Sequence, residues 1–186
     1  MKRGLDLSIA LLMLVPSILV SIPIAVAIRL DSPGPALFRQ IRVGRNRKPF
    51  TLLKWRTMSI DTGDLPSHET NRAQITRIGW LLRRTKLDEL PQIWNVLVGE
   101  MSLVGPRPCL PTQTVLVDER ERLGVLVLRP GITGLSQIAG LDMSDPIRLA
   151  AADAQYLQNT GMLADISIIL RTAFQGIFRD AVGNQK

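Results

Sequence analysis

Asp88 and Glu89 are neighbouring carboxylates that follow directly on the cations Arg83, Arg84 and Lys86. Paired carboxylates commonly open a helix, where they complement the positive end of its dipole. The cations before them allow a sharper reading, because they keep a carboxylate ionised and gather anions beside it. Leu90, Ile93, Trp94 and Leu97 follow with the spacing of an amphipathic helix. Pro91 then falls in its first turn, where the missing N–H is not needed. That makes Asp88 the expected N-cap and Gly99 the end of the helix. Free N–H groups at a helix start bind phosphate. An ionised aspartate at such a point is placed to attack phosphorus and form an aspartyl-phosphate ester. The same N–H groups and arginines would hold the transferred phosphate. Glu89 is the candidate base or metal ligand, and repulsion between the two charges raises the pKa of one of them.

Three further constellations belong with this pair. In Gly105-Pro106-Arg107-Pro108, both prolines have fixed φ and Pro108 forces Arg107 towards an extended backbone. An arginine held this way loses little backbone freedom on binding, and its planar fork suits two phosphate oxygens. The plainer reading is a Pro-rich surface turn. Arg129-Pro130-Gly131-Ile132-Thr133-Gly134 sets another arginine on a Pro-Gly turn, with an ordinary turn as the plainer reading. Lys54 and Arg56 share one face of a predicted strand, with Trp55 on the other. There is no P-loop, GxGxxG, HExxH, paired CxxC or GxSxG.

The elements that must position these residues begin with an uncharged run, Leu7–Ile28. As a helix it is roughly 33 Å long, enough to cross a bilayer core. It can be a spanning helix, a cleavable signal with Met1-Lys2-Arg3 as basic start and Ala25-Val26-Ala27 as cleavage site, or a re-entrant pair that returns to its own face. Pro16 and Pro23 interrupt it. Basic residues flank both ends, Lys2 and Arg3 before and Arg29, Arg39 and Arg42 after, where a spanning helix calls for asymmetry. These two features favour the re-entrant form, while the residues alone leave the spanning form open. Beyond it, Ala36–Ile41 and Phe50–Arg56 read as strands around a basic turn. Ile60–Asn71 reads as a polar loop, and Ile75–Arg84, Val115–Leu123, Ala150–Leu157 and Ile166–Phe178 as helices. The last carries Ile166, Ile169, Leu170, Phe174, Ile177 and Phe178 on one apolar face, which fits core packing or a helix lying in a membrane interface.

The chain has 186 residues and a formal net charge of +7, which points to an anionic partner without choosing among nucleic acid, acidic lipid and phosphorylated substrate. Aromatics make up only 4%, a poor supply for stacking bases, so no nucleic acid is expected. The single cysteine, Cys109, excludes an internal disulfide. His68 alone builds no histidine-rich metal site and reads as a solvated loop residue.

In order, DSPGPALFRQIRVG, LLKWRTM, RIGWLLRRTKLDELPQIWNVLVGEMSLVGPRP and RPGITGLSQIAG resemble the bacterial sugar transferases, the monotopic phosphoglycosyl transferases. The resemblance runs from near the N-terminus to about Gly140. It implies an α+β monotopic membrane protein with a re-entrant helix over residues 1–30, and a catalytic unit over residues 31–186 with a short β-hairpin and amphipathic interfacial helices. It implies Asp88 and Glu89 as the catalytic dyad, with Mg²⁺ held there. Arg83 corresponds to the family arginine, and Pro106, Arg107 and Pro108 to its Pro-Arg-Pro motif. Lys54, Arg56, Arg129 and Thr133 complete the expected substrate-binding set. The implied reaction is ping-pong: Asp88 takes a sugar-1-phosphate from a UDP-sugar, expelling UMP, and passes it to polyprenyl phosphate. The implied place is the cytoplasmic face of the bacterial inner membrane, in contact with its lipids. The family breaks its membrane helix at a Ser-Pro pair, whereas this chain has Pro16-Ser17. Two rival functions stay open: a membrane-bound glycosyl transferase that releases UDP, and a basic membrane adaptor without catalysis.

Overall fold

The computed structural model describes residues 2–60 and 74–182. His68, and all of the predicted polar loop beyond Ile60, lie outside the described residues. The fold is mixed helix and sheet. A long helix α1 (Lys2–Asp31) precedes an antiparallel pair, β1 (Leu37–Val43) and β2 (Pro49–Trp55), with Leu37 opposite Trp55 and Val43 opposite Pro49. Then come α2 (Arg77–Thr85), a 3₁₀ turn at Leu87–Glu89, α3 (Gln92–Val98) and β3 (Ser102–Val104). After α4 (Thr114–Arg122), β4 (Gly131–Thr133) pairs with β3 in parallel. The chain finishes with α5 (Leu135–Ile138), α6 (Pro146–Gln158) and α7 (Met162–Val182).

The β3–β4 pair corrects the plain-turn reading of Arg129–Gly134, and Met101–Pro111, whose three prolines and glycine read as a structured loop, holds β3. The two backbones approach so closely that a Cβ at Gly105 or Gly131 would overlap the other strand's main chain. Glycine at both positions permits the contact, and Gly105 N–H donates to Thr133 O at 2.8 Å. This pairing brings the Pro-Arg-Pro loop, which follows β3, alongside β4.

α1 is the one helix among the described residues that is long and apolar enough to cross a bilayer. Pro16 and Pro23 lie inside it and do not end it. Each removes one N–H donor from the helix ladder without stopping the helix. Both ends of α1 are bound to the same body. At the start, Lys2 Nζ donates to Asp165 Oδ2 at 2.7 Å and to Tyr156 Oη at 2.9 Å. Arg3 donates to Val96 O and Leu97 O, and buried Asp6 accepts from Ser102 Oγ and Leu103 N. At the finish, Asp31 Oδ2 accepts from Ile78 N at 3.0 Å, and Arg56 donates to the carbonyls of Ile28, Ser32 and Pro33. The basic start of the chain is therefore spent on internal contacts. Cleavage after Ala27 would strip partners from Asp165, Ser102 and the end of α3, which counts against the signal reading.

Between these ends, Ala10 packs with Phe50, Leu52, Ile93, Val96 and Met101, and Ile24 and Ile28 pack with Ala36 and Leu82. Each fully buried Leu, Ile or Phe contributes about 1.5–3 kcal/mol, so these clusters fix α3 and the β-pair against α1. The opposite side of α1 is bare: Leu12, Val15, Leu19, Ile22 and Leu30 are exposed. The same holds for Trp80 on α2, Trp94 on α3, and Ile166, Leu170 and Phe174 on α7. Of the predicted apolar face of α7, Ile166, Leu170 and Phe174 thus lie outside the core, Ile169 packs against it, and the side chains of Ile177 and Phe178 lie outside the described residues. The helix docks through Asp165, Ile168, Ile169 and Thr172.

Candidate active site

α2 begins at the N-cap Thr76, whose side chain accepts from Gly79 N, and ends at Lys86 in a left-handed conformation, φ 58°. That residue reverses the chain into the Leu87–Glu89 turn, where Glu89 N–H donates to Lys86 O at 3.2 Å. Asp88 is therefore not the N-cap of α3. Leu87–Glu89 winds as a 3₁₀ turn and Pro91 takes the capping position ahead of Gln92. The result still presents both carboxylates to one cleft, with α3 leading away behind them.

Lys54, on β2, joins the pair from the opposite wall. Its Nζ lies 3.1 Å from Glu89 Oε1 and 3.5 Å from Asp88 Oδ2. Asp88 is buried, and its Oδ1 has no hydrogen-bond partner among the described residues. Burial pushes the Asp88 carboxyl above its ordinary range; Lys54 opposes this, and the charge on Glu89 adds to it. Burial acts on Glu89 as well, but Lys54, Arg107 and Lys86 outweigh it and hold Glu89 below its ordinary range. Of the two carboxylates, Asp88 is the one whose pKa is raised. The raised carboxyl is the candidate nucleophile, and Glu89 is a firm anion because its three cations include Lys54, which also donates a hydrogen bond to it. Arg83 stands near Asp88, and its Nε donates to Thr57 Oγ1 at 2.8 Å.

The cleft has a volume of 1060 Å³. It runs along β1, from Ala25, Arg29 and Leu37 beside α1 to Arg107 and Pro108 beside β4. Arg83, Lys86, Lys54 and Arg107 face the two carboxylates, so cations outnumber anions. That surplus suits a substrate with several phosphate charges. A divalent cation is tested by the donor set: two adjacent carboxylates, one oxygen of them unpartnered. Among the described residues no group of three or more His, Cys, Asp or Glu side chains converges. The pair fits Mg²⁺ held jointly with substrate phosphates, its usual mode, and does not form a protein-only cage.

Other predicted site residues have different neighbours. Arg129 lies at the far end of α3, where its Nε donates to Gly99 O at 2.8 Å. There it caps carbonyls that the helix leaves free, as Arg3 does at Val96 and Leu97. Arg56 touches the cleft, but its guanidinium is turned onto the end of α1. Thr133 is buried with its hydroxyl 2.6 Å from that of Thr172. Pro106 is also buried, with its carbonyl bonded to Gly131 N. Sequence reasoning passed over Gln92, buried and lining the cleft one turn beyond the dyad, and Gln40 and Arg42 on β1. Strand alternation puts Gln40 and Arg42 on one face and could have found them.

The model of the family described as "Bacterial sugar transferase" matches residues 1–179. The chain is 42% identical over 183 residues to a UDP-glucose:undecaprenyl-phosphate glucose-1-phosphate transferase of Caulobacter vibrioides, covering 92% of this chain and 67% of that one. It is 37% identical over 194 residues to the protein of the same name from Escherichia coli, covering 97% of this chain and 41% of that one. It is 40% identical over 196 residues to an exopolysaccharide production protein, PSS, of Rhizobium leguminosarum, covering 96% of each. The chain thus spans less than half the length of the Escherichia coli relative and nearly all of the Rhizobium one.

Proposed function

The chain belongs to the bacterial sugar transferase family, and on that premise we propose that it moves a sugar-1-phosphate from a UDP-sugar to a polyprenyl phosphate, releasing UMP. The observation that carries this reading is Asp88: a buried carboxylate with an unpartnered oxygen, facing a cleft lined by cations and bounded by an apolar helix. In the first half-reaction, Asp88 Oδ1 attacks the β-phosphorus of the donor. A P–O(carboxylate) bond forms, the P–O bond to UMP breaks, and UMP leaves with the electron pair. In the second, an oxygen of polyprenyl phosphate attacks the same phosphorus and Asp88 departs as carboxylate. The acceptor phosphate carries ionised oxygens at neutral pH, so the second step asks little of a base. That agrees with Glu89 remaining an anion. Lys54, Arg83, Lys86 and Arg107 stabilise charge that builds on the transferred phosphoryl oxygens. Mg²⁺, held by Asp88, Glu89 and the donor diphosphate, would neutralise the charge of the leaving UMP.

A soluble nucleotide-sugar and a lipid phosphate must react at one atom, the β-phosphorus, so the site belongs at the water–lipid boundary. The exposed apolar side of α1, with Trp80, Trp94, Leu170 and Phe174, supplies the lipid-facing surface in this reading. Both ends of α1 are bound to one body, which supports a re-entrant course with both ends on the cytoplasmic face of the inner membrane. The test is incubation of the purified chain with undecaprenyl phosphate, Mg²⁺ and a panel of UDP-sugars, with UDP-glucose first. UMP and a polyprenyl diphosphosugar are expected. Release of UDP would mean transfer of the sugar alone and overturn the proposal.

A further inference from the structure

The loop Pro106–Cys109 is pinned at every carbonyl. Pro106 O accepts from Gly131 N at 2.9 Å, Arg107 O from Arg120 Nη1 at 2.9 Å, Pro108 O from Arg42 Nη1 at 3.1 Å and Cys109 O from Val43 N at 2.9 Å. The Arg107 carbonyl is the one of the four held by a buried charge. Arg120 is 3% exposed, and its Nε and Nη2 both bind Asp153 Oδ2, at 2.9 and 2.7 Å. The other oxygen of Asp153 accepts from buried Ser136 Oγ at 2.8 Å. Arg120 is on α4, Asp153 on α6 and Ser136 on α5, so three helices converge on one peptide group. A buried ion pair adds little stability over well-packed apolar residues, because desolvation offsets its attraction. Stability alone therefore does not account for placing this network against the backbone of Arg107.

We infer that Arg120, oriented by Asp153 and Ser136, is a positioning residue that sets the backbone of Arg107 so that its guanidinium meets the donor phosphates in the cleft. This rests on the proposed UDP-sugar reaction. Pro106 and Pro108 fix φ on either side of Arg107, and Arg120 fixes the peptide plane that follows it. The side chain then starts from one direction, and little reorganisation is left for the moment of reaction.

The experiment is a double-mutant cycle on UMP release. Arg120→Lys keeps the charge beside Asp153, but a single ammonium cannot reproduce the fork that reaches both Asp153 and the Arg107 carbonyl. It is expected to lower kcat/KM for the UDP-sugar ~10–100-fold. In an Arg107→Ala background the same change is expected to cost less than about 2-fold, because there is no guanidinium left to position. Ser136→Ala, which keeps every charge, follows the same pattern with a smaller loss and decides the matter alone if Arg120→Lys does not fold. Equal losses in both backgrounds, or unchanged kinetics, would reduce the network to a structural support. No UMP release by the unsubstituted protein with any UDP-sugar would overturn the functional reading and the positioning role with it, whereas release with additive effects overturns the positioning role alone.

Discussion

Lys54 and Glu89 form an ion pair across the cleft, Nζ to Oε1 3.1 Å, and the same ammonium lies 3.5 Å from Asp88. One cation from β2 thus lowers the pKa of both carboxylates. Lys54→Met removes that influence, so both carboxyl groups ionise at higher pH. The acid limb of the kcat/KM profile is expected to move upward in pH, and activity at pH 7 to fall ~10²–10³-fold, the scale for losing one preorganised charge. A pH series on UMP release checks it. An acid limb in the same place would remove Lys54 from the control of the dyad.

Asp88→Asn is expected to lower turnover by at least ~10⁴-fold, since an amide oxygen does not form the ester with phosphorus. It is also expected to stabilise the fold. Burial raises the folded pKa of Asp88. The stability lent by its protonated form is complete below the ordinary Asp range and is lost as pH rises through the raised folded value. At pH 7 the neutral amide removes this penalty, so the variant melts higher than the unsubstituted chain, and the gap narrows as pH falls towards 4. A variant that melts lower at pH 7 would contradict the buried, unpartnered setting of Asp88 Oδ1.

Local chemistry was legible in the sequence and tertiary partnership was not. The helix signals around Leu90–Leu97 and Ile75–Arg84 were readable because an apolar period of 3.6 is local, and α2 and α3 lie there. So was the crowding of Asp88 and Glu89 by cations close in the chain. Arg56 and Arg129 look like phosphate ligands in one dimension. In three, each finds free carbonyls at a helix end, a partner that no motif encodes. The low setting of Glu89 follows from Lys54 and Arg107, which are 35 and 18 positions away from it in the chain. The start of α6 was missed although its signal is local: Asp145 caps Arg148 N and Pro146 takes the first turn.

Arg56→Met tests whether that arginine holds structure or substrate. Arg56 is buried and donates to three carbonyls at the end of α1. The substitution leaves those carbonyls without their donor, at a cost of about 2–4 kcal/mol in unfolding free energy. Denaturant unfolding in detergent should register that loss, with KM for the UDP-sugar held within about 3-fold. Retained stability with a large rise in KM would return Arg56 to the substrate-binding set.

The course of α1 gives the last prediction. Lys2, Arg3 and Asp6 at one end, and Ile28 and Asp31 at the other, are joined to residues of the same folded body. A hydrocarbon layer is about 30 Å thick and admits no folded polar body within it. If α1 spanned the membrane, the contacts at one end would have to break, stripping Lys2 from buried Asp165 or Arg56 from the Ile28 carbonyl. Leaving buried Asp165 or the Ile28 carbonyl without its donor costs about 1–3 kcal/mol, so the docked arrangement favours both ends on one side. Gly4 and Arg29 report on the two ends: both are exposed, and a Cβ at Gly4 meets nothing within 4 Å. Cys109, the native thiol, is buried. Gly4→Cys and Arg29→Cys, made singly and treated with a membrane-impermeant maleimide, should both react in inverted inner-membrane vesicles and both be protected in intact spheroplasts. Labelling of the two positions from opposite sides would establish a spanning helix and refute the re-entrant course.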